Sequence, residues 1–307
     1  IYKTEQDALL SLEHPEKGCW LNLCDPTEGE IEFVANELGF DLDWVRAALD
    51  EEERARIEWD DGATLIIVDV PRVEAEGRSF VYSTIPLGIL FNDEAIVTVT
   101  LNESPIINDF IKGRVKSFYT FKKTRFILQL LYKNATRFLM YLKQIDKAST
   151  AVQNELHKSM KNKELIQLLS LEKSLVYFST SLTSNEMVLD KMMKLGYIKK
   201  YQDDVDLLED VIVENKQAIE MCNIYRDILS GTMDAFASVI SNNLNIVMKM
   251  LTAITIIISI PTLIASIWGM NVPLPLSGNR YGFWIILGVS AGLSAIIAYI
   301  MKKKKML

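Results

Sequence analysis

Two long uncharged runs near the C-terminal end restrict the fold of this chain more than any other feature. The first is MLTAITIIISIPTLIASIW, residues 250–268, and the second is FWIILGVSAGLSAIIAYIM, residues 283–301. As a helix, each run of 19 residues is about 28 Å long, close to the thickness of the hydrocarbon core of a bilayer. We therefore expect two membrane-spanning helices. The alternative is a soluble protein with two buried core helices.

The flanks of these runs predict their orientation. Lys302 to Lys305 follow the second run, whereas the segment between the runs carries only one charge, Arg280. Because positive residues are enriched on the cytoplasmic side, we expect the C-terminus to be cytoplasmic. Two spans return the chain to the side from which it came, so the residues before the first span are expected there as well. The localisation that follows is the inner or plasma membrane.

Charge divides the remainder of the chain into two parts. Residues 1–104 hold 24 acidic and 7 basic residues, whereas residues 105–307 hold 16 acidic and 26 basic residues. We expect a cytoplasmic α/β domain over 1–104, a stalk of long helices over 105–245, and a transmembrane hairpin with a basic tail over 246–307. The basic residues lie mostly along helices, so no nucleic-acid partner is expected.

Strand-like and helical patterns support this division. Four β-branched or aromatic runs (CWLNLCD, TLIIVDVP, SFVYSTIPLGILF and EAIVTVTL) predict strands, and Asn92-Asp93 predicts a hairpin turn between the last two. Between the first two strands we expect a helix capped by Asp25, with Pro26 in its first turn and Gly39 at its end. This is a mixed sheet with flanking helices.

Three long helices are expected after the α/β part. No proline occurs from residue 106 to residue 260, and apolar residues recur there at intervals of three and four. Gly196 marks a turn before the last helix, which is expected to run from Tyr201 to Trp268 over about 100 Å. A helix of that length needs neighbours to cover its apolar face, so we expect an oligomer.

A polar stripe runs along the first uncharged run. Its residues are spaced 3, 4, 3 and 4 apart, so they share one face of a helix. Small hydroxyl side chains allow close helix packing, and they can equally line a water-filled pore to which each copy contributes one stripe. The stripe consists of Thr252, Thr255, Ser259, Thr262 and Ser266, and it extends backward to Met248 and Asn245.

Enzymatic activity is not expected. No glycine-rich phosphate loop follows a strand, and His14 and His157 are isolated in the sequence. Three scattered cysteines form no disulfide framework and fit a reducing compartment.

The segment after the first run carries a resemblance to a known family. Gly269-Met270-Asn271 at the end of that run, a short loop, a last span and a lysine tail resemble the CorA family of magnesium channels. The segments NNLNIVMKMLT, IYRDILSGTMDAF and RARIEWDDGATLIIVDVP are also similar to the family, so the resemblance covers nearly the whole chain.

The resemblance implies a homopentameric funnel in the bilayer that carries Mg²⁺, and also Co²⁺ or Ni²⁺. It places the Gly-Met-Asn motif at the outer mouth, where Asn271 rings the incoming ion. Thr255, Ser259 and Thr262 would then contact the hydrated ion below. The remaining positions implied for the pore are a narrowing at Leu251 and Met248 and an amide ring at Asn245.

The resemblance also implies regulation by cytoplasmic Mg²⁺ at acidic residues between subunits. Asp210 matches one such position, but the usual partner acid falls on Val45-Arg46-Ala47 and is absent. Asp43 or Asp50, about one turn away, is the candidate replacement. Two alternatives to a magnesium channel stay open: a zinc-transporting member of the same superfamily, and a membrane-anchored helical scaffold that conducts no ions.

Overall fold

The computed structural model describes residues 1–5, 8–76, 79–159, 162–194, 201–270 and 280–304. Its elements divide into two compact units, Ile1–Gly231 and Thr232–Leu307. The domain boundaries expected near residues 104 and 245 stay predictions. Gly196 and residues 271–279, including Asn271, lie outside the described residues.

Seven strands form one sheet in the first unit. In chain order they are β1 (Tyr2–Glu5), β2 (Ala8–Ser11), β3 (Cys19–Cys24), β4 (Arg56–Asp60), β5 (Ala63–Glu76), β6 (Ser79–Phe91) and β7 (Ala95–Thr100). The order across the sheet is β2-β1-β3-β7-β6-β5-β4. Only β3 and β7 pair in parallel; the other pairs are antiparallel. The mixed sheet expected from the sequence is confirmed.

Seven helices accompany the strands among the described residues. They are α1 (Glu28–Leu38), α2 (Leu42–Ala47), α3 (Pro105–Ile111), α4 (Lys123–Ser159), α5 (Asn162–Lys194), α6 (Gln202–Trp268) and α7 (Gly282–Lys303). The long helices are α4, α5 and α6, as expected. The 67 residues of α6 amount to about 100 Å of helix.

The N-terminus of α1 differs from the expectation. Its cap is Thr27 rather than Asp25, because the Thr27 side chain accepts from the Glu30 backbone N–H and the Glu30 carboxylate accepts from the Thr27 backbone N–H. This reciprocal pair satisfies two donors of the first turn. Gly39 ends the helix in the left-handed conformation with φ of 69°, as expected.

The two faces of the sheet are covered by different helices. One face packs on α1 and α2 around Ile31, Val34 and Val45. The other packs on α3, α4, α5 and the beginning of α6, with Trp20 and Phe126 among its fully buried side chains. The Trp20 indole donates to the Thr98 hydroxyl at 2.9 Å, so its polar atom is satisfied in the core.

Two asparagines cover an open edge of the sheet at Asp69. Strand β4 pairs with β5 only as far as Ile67, which leaves the Asp69 backbone without a strand partner on that side. The Asn185 side chain accepts from the Asp69 N–H and donates to its carbonyl, each at 2.8 Å. Asn134 donates to the same carbonyl at 2.8 Å. The side chains of α4 and α5 thus replace the missing strand.

Burial at this edge also affects the Asp69 carboxyl group. It raises the pKa of Asp69 from 3.8 to about 6, and a hydrogen bond with Ser181 opposes the shift only in part. The folded protein therefore retains a proton that the unfolded chain releases between pH 4 and 6. Stability contributed by this group is present at low pH and is lost as the pH rises through 6.

We predict that Asp69→Asn stabilises the protein at pH 7.5. The substitution removes a buried charge whose cost amounts to at most about 3 kcal/mol for a shift of this size. Thermal unfolding of the detergent-solubilised protein from pH 4.5 to 7.5 measures the effect. The melting temperature of Asp69→Asn should fall less with rising pH than that of the unmodified protein. Exposed Asp60→Asn is the control, and parallel profiles for all three proteins would contradict the assignment.

Candidate functional site

The polar stripe of α6 lies on one exposed face of the helix. The stripe residues and Leu251, the other residue of the predicted narrowing, are all exposed in the chain, with Met248 at 51% and Leu251 at 56%. The predicted pore-lining residues are Asn245, Met248, Leu251, Thr252, Thr255, Ser259, Thr262 and Ser266. All eight lie on α6, and their role in lining a pore stays a prediction.

The opposite face of α6 is turned towards α7. Ile264, Ala265 and Trp268 line a cavity whose other wall is formed by α7. At about 100° per residue, the five hydroxyl residues lie between about 120° and 180° around the helix from Ile264. The hydroxyl stripe consequently does not mediate packing between the two apolar helices of one chain.

Four of the hydroxyl groups donate to the backbone carbonyl four residues earlier. Thr252 donates to Met248 at 2.8 Å and Thr255 to Leu251 at 2.9 Å. Ser259 donates to Thr255 at 2.7 Å, and Thr262 donates to Ile258 at 3.0 Å. These bonds are the usual way in which a hydroxyl side chain within a helix satisfies its proton.

The bonds determine what the exposed face offers to a ligand. A hydroxyl group has one proton and two acceptor lone pairs. Once the proton is directed to the helix backbone, the exposed oxygen can only accept. Water molecules around a cation direct their protons outward, so they can donate to such oxygens, whereas the shell of an anion needs donors. The face therefore suits a hydrated cation.

The stripe is also uncharged. Neither 250–268 nor 283–301 contains Asp, Glu, Lys, Arg or His. Proton relays and charge-paired transport sites within membranes depend on such residues. The groups available along the stripe are the acceptor oxygens of the four backbone-bonded hydroxyls, the Ser266 hydroxyl, and the Asn245 amide, which both accepts and donates.

The Gly-Met-Asn motif begins directly after α6. The Gly269 N–H donates to the Ala265 carbonyl at 2.9 Å, which continues the helical pattern by one residue. Gly269 does not adopt a positive φ, although glycine at the end of a helix can adopt the left-handed conformation without a steric penalty. A Cβ at this position would lie 3.3 Å from the Ala265 carbonyl oxygen, and glycine avoids that close contact. Met270 is 56% exposed, and Asn271 lies outside the described residues.

The predicted regulatory residues are dispersed in one chain. Asp210 is exposed on α6, and Asp43 and Asp50 are exposed on or just after α2. At the position of the usual partner acid, Val45 is buried and Arg46 pairs with Glu28 at 2.6 Å. Among the described residues no group of three or more acidic, histidine or cysteine side chains could hold a metal ion. A regulatory site at Asp210 would need ligands from another copy and stays a prediction.

The two apolar helices are not core helices of a folded unit. In each, only 6% of the most apolar 18 residues is buried within the chain. Both are long enough to cross a bilayer, and α7 (Gly282–Lys303) extends the expected span by only a few residues. Sequence reasoning did not foresee the donation of the stripe hydroxyls to the backbone, although Ser and Thr within an apolar helix commonly make this bond.

Comparison with known proteins agrees with this architecture. A family model described as "CorA-like Mg2+ transporter protein" matches residues 15–303. The "Cobalt/magnesium transport protein CorA" of Methanocaldococcus jannaschii is 28% identical over 299 residues, which are 92% of this chain and 90% of that protein. The "Magnesium transport protein CorA" of Campylobacter jejuni strain RM1221 is 24% identical over 330 aligned residues, covering 99% and 98% of the two chains.

The fold is shared with a solved structure as well. The complete structure of the CorA magnesium transporter from Methanocaldococcus jannaschii superimposes with a TM-score of 0.82 at 26% identity, covering 92% of this chain and 89% of that one. The chain has an α/β unit followed by long helices and two apolar C-terminal helices, and the family model that matches it is that of a transporter. The chain belongs to the CorA family, as its resemblance predicted.

We predict that a larger side chain destabilises the protein on the buried face of α6 and has little effect on stability on the exposed stripe. Ala253 is fully buried, so Ala253→Leu should overpack the helix and destabilise the fold by about 1–3 kcal/mol. Ser259 is exposed on the stripe, so Ser259→Leu should leave the melting temperature nearly unchanged. Thermal unfolding in detergent measures both. A larger loss for Ser259→Leu than for Ala253→Leu would show that the stripe is a packing surface.

Proposed function

We propose that this protein is a channel through which Mg²⁺ enters the cell down its electrochemical gradient, with Co²⁺ and Ni²⁺ as further substrates. The observation that carries the proposal is the exposed face of α6, whose hydroxyl oxygens can only accept and which leads to the Gly-Met-Asn motif. The names of the relatives from Methanocaldococcus and Campylobacter support Mg²⁺ and Co²⁺ as substrates.

Selection in this proposal takes place at Asn271. Mg²⁺ is small and releases its waters reluctantly, so a site that removes the shell would bind it slowly. Side-chain carbonyl groups of Asn271 from several copies accept hydrogen bonds from those waters and leave the shell in place. Met270 packs around the mouth, and Gly269 keeps the backbone close to the end of α6. Thr262, Ser259 and Thr255 then provide successive acceptors for the moving hydrated ion.

Several copies are needed to surround the path. From Ala237 to Thr252 all sixteen residues of α6 are exposed in one chain, although many of them are apolar. Val239, Leu244 and Ile246 are 41%, 61% and 55% exposed. A water-filled conduit made by parallel copies of α6 would place these side chains between subunits. The resemblance to the family implies five subunits.

The narrow part of the conduit is assigned to Met248 and Leu251. Both are exposed on the stripe face and apolar, so a ring of them would exclude water and close the path by dewetting. Asn245 would form a second amide ring at the cytoplasmic end. Two charges that move across 100 mV, inside negative, release roughly 4.6 kcal/mol, so inward flow requires no chemical fuel.

Regulation by cytoplasmic Mg²⁺ is assigned to Asp210, with Asp43 or Asp50 of another copy in place of the absent acid. The carboxylates are exposed, which leaves them available to a hydrated divalent ion between subunits. Mg²⁺ commonly keeps several waters and takes one or two carboxylates. In this role Mg²⁺ is the ligand of a sensor as well as the transported ion.

We predict that Asn271→Ala greatly reduces Mg²⁺ entry into liposomes, because the alanine ring offers no acceptor to the hydrated ion. A Mg²⁺-sensitive dye inside the vesicles measures the initial rate. Asn279→Ala, in the same segment between the two apolar runs, is the matched control and should retain the rate. Unchanged flux in Asn271→Ala would remove this residue from the mechanism. Flux of Zn²⁺ without Mg²⁺ in the unmodified protein would favour the zinc-transporting alternative.

We predict five subunits for the purified protein, since a ring of α6 helices wide enough for a hydrated ion needs more than two copies. Native mass spectrometry from detergent counts them directly. A dimer without ion flux would support the non-conducting scaffold, in which the hydroxyl stripe serves helix packing alone.

A further inference from the structure

A groove of about 280 Å³ lies between α6 and α7 at the loop end of the two helices. Its wall on α6 includes the short side chains of Pro261 and Ala265, and its wall on α7 includes the larger side chains of Phe283 and Leu287. The wall residues used below are Pro261, Ala265, Gly269, Phe283, Leu287 and Ser290. The groove lies wholly within the unit Thr232–Leu307.

The sequence explains why the chain does not fill this space. Pro261, Ala265 and Gly269 follow one another at intervals of four residues, so they stack along one face of α6. None of the three carries a side chain long enough to bridge the gap to α7. The Ser290 hydroxyl and the Trp268 indole N–H are the side-chain polar groups of the described wall, so the groove is mostly apolar. In a bilayer such a space is filled by hydrocarbon, because water is absent at this depth.

A positive charge stands beside the groove. Arg280 is the only charged residue between the two apolar runs, and it is exposed two residues before α7 begins. The first turn of α7 is not capped by the side chain of its N-cap residue, Tyr281. The positive end of a helix with 22 residues therefore adds to the charge of Arg280 and favours an anion at this level.

The charge and the groove are in register along α7. Phe283 lies in the first turn of the helix, and Ser290 lies about 10 Å further along at 1.5 Å per residue. Trp268, Tyr281 and Trp284 mark the interface, where lipid headgroups meet the hydrocarbon. A ligand that fits both features has a negative headgroup at the interface and an apolar chain that extends about 10 Å or more below it.

We propose that this groove binds an anionic phospholipid, with its phosphate at Arg280 and one acyl chain between α6 and α7. The charge near the groove decides between the possible apolar occupants, since a zwitterionic lipid gains less from Arg280 and the α7 N-terminus. None of the five hydroxyl residues of the stripe lines the groove, so the lipid site is distinct from the stripe; Gly269, directly after α6, belongs both to the groove wall and to the Gly-Met-Asn motif. Lipid at this position would hold the two helices together in place of missing side chains.

Trp268 provides a reporter for the test. It lines the groove, whereas Trp284 on α7 is 67% exposed and does not line it. The other three tryptophans, Trp20, Trp44 and Trp59, lie in the unit Ile1–Gly231 and give a constant background. Lipids with brominated acyl chains quench tryptophan on contact. Trp284→Phe leaves Trp268 as the reporter in the apolar helices, and Trp268→Phe leaves Trp284.

The experiment uses the full chain in phosphatidylcholine vesicles with increasing fractions of brominated phosphatidylglycerol or brominated phosphatidylcholine. Trp268 should be half-quenched at a several-fold lower fraction of the anionic lipid. Arg280→Gln should abolish this preference, and Trp284 should show none. Ala265→Phe, which fills the groove, should reduce quenching of Trp268 by both lipids. Ala295→Phe, outside the groove, is its matched control and should leave quenching unchanged.

Four results would overturn the proposal. Equal quenching of Trp268 by both lipids would remove the preference for negative charge. Weak quenching by both would mean that another copy of the chain covers the groove. A preference that persists in Arg280→Gln would place the phosphate elsewhere. Loss of the preference on addition of inorganic phosphate would show a free-anion site rather than a lipid site. The correct fold of each variant is checked by an unchanged subunit count.

Discussion

The absence of water within a bilayer is the constraint on which this structure depends. Every backbone N–H and carbonyl in the uncharged runs must find a partner within the protein, and a continuous helix achieves this without other segments. The same demand extends to the side chains of α6. Thr255 and Ser259 satisfy their protons on the helix backbone, at 2.9 and 2.7 Å. Because these protons are bonded within the helix, the exposed surface presents a row of acceptor oxygens. Such a surface suits the water shell of a cation better than that of an anion.

One helix thereby presents two opposite chemistries. The face with Ser259 offers oxygen atoms and no charge, whereas the face with Ala265 offers an apolar groove next to α7. Conduction would use the hydroxyl stripe and lipid binding would use the groove, and Gly269 is the residue that the two proposed sites share. The division follows from the placement of small residues, because alanine and glycine leave space towards α7 while hydroxyl groups are confined to the other side. A substitution on one face is therefore expected to leave the other intact.

In the unit Ile1–Gly231, side chains also form hydrogen bonds with backbone groups that would otherwise lack a partner. The edge of β5 at Asp69 lacks a neighbouring strand, and the amide groups of Asn134 and Asn185 replace it with bonds of 2.8 Å. The cost is a half-buried carboxyl group whose pKa is raised to about 6. Long helices and sheet are thus joined by polar contacts as well as by the apolar core. This edge titrates closer to neutral pH than an ordinary aspartate does.

The sequence by itself determined the two apolar helices, the four longest apolar strand runs, the course of α6 and the family, because each depends on local periodicity or on a contiguous motif. It did not reveal the short strands β1 and β2 or the charged strand β4, since these gain their stability from pairing with a neighbour and not from their own burial. The sequence also predicted Asp25 as the N-cap of α1, whereas the hydrogen bonds in the structure make Thr27 the N-cap. Only the tertiary structure decided that the hydroxyl stripe faces away from α7 and that a groove stays open beside Arg280. The physical reason is that periodicity fixes which residues share a helix face, whereas only the position of the neighbouring helix fixes what that face meets.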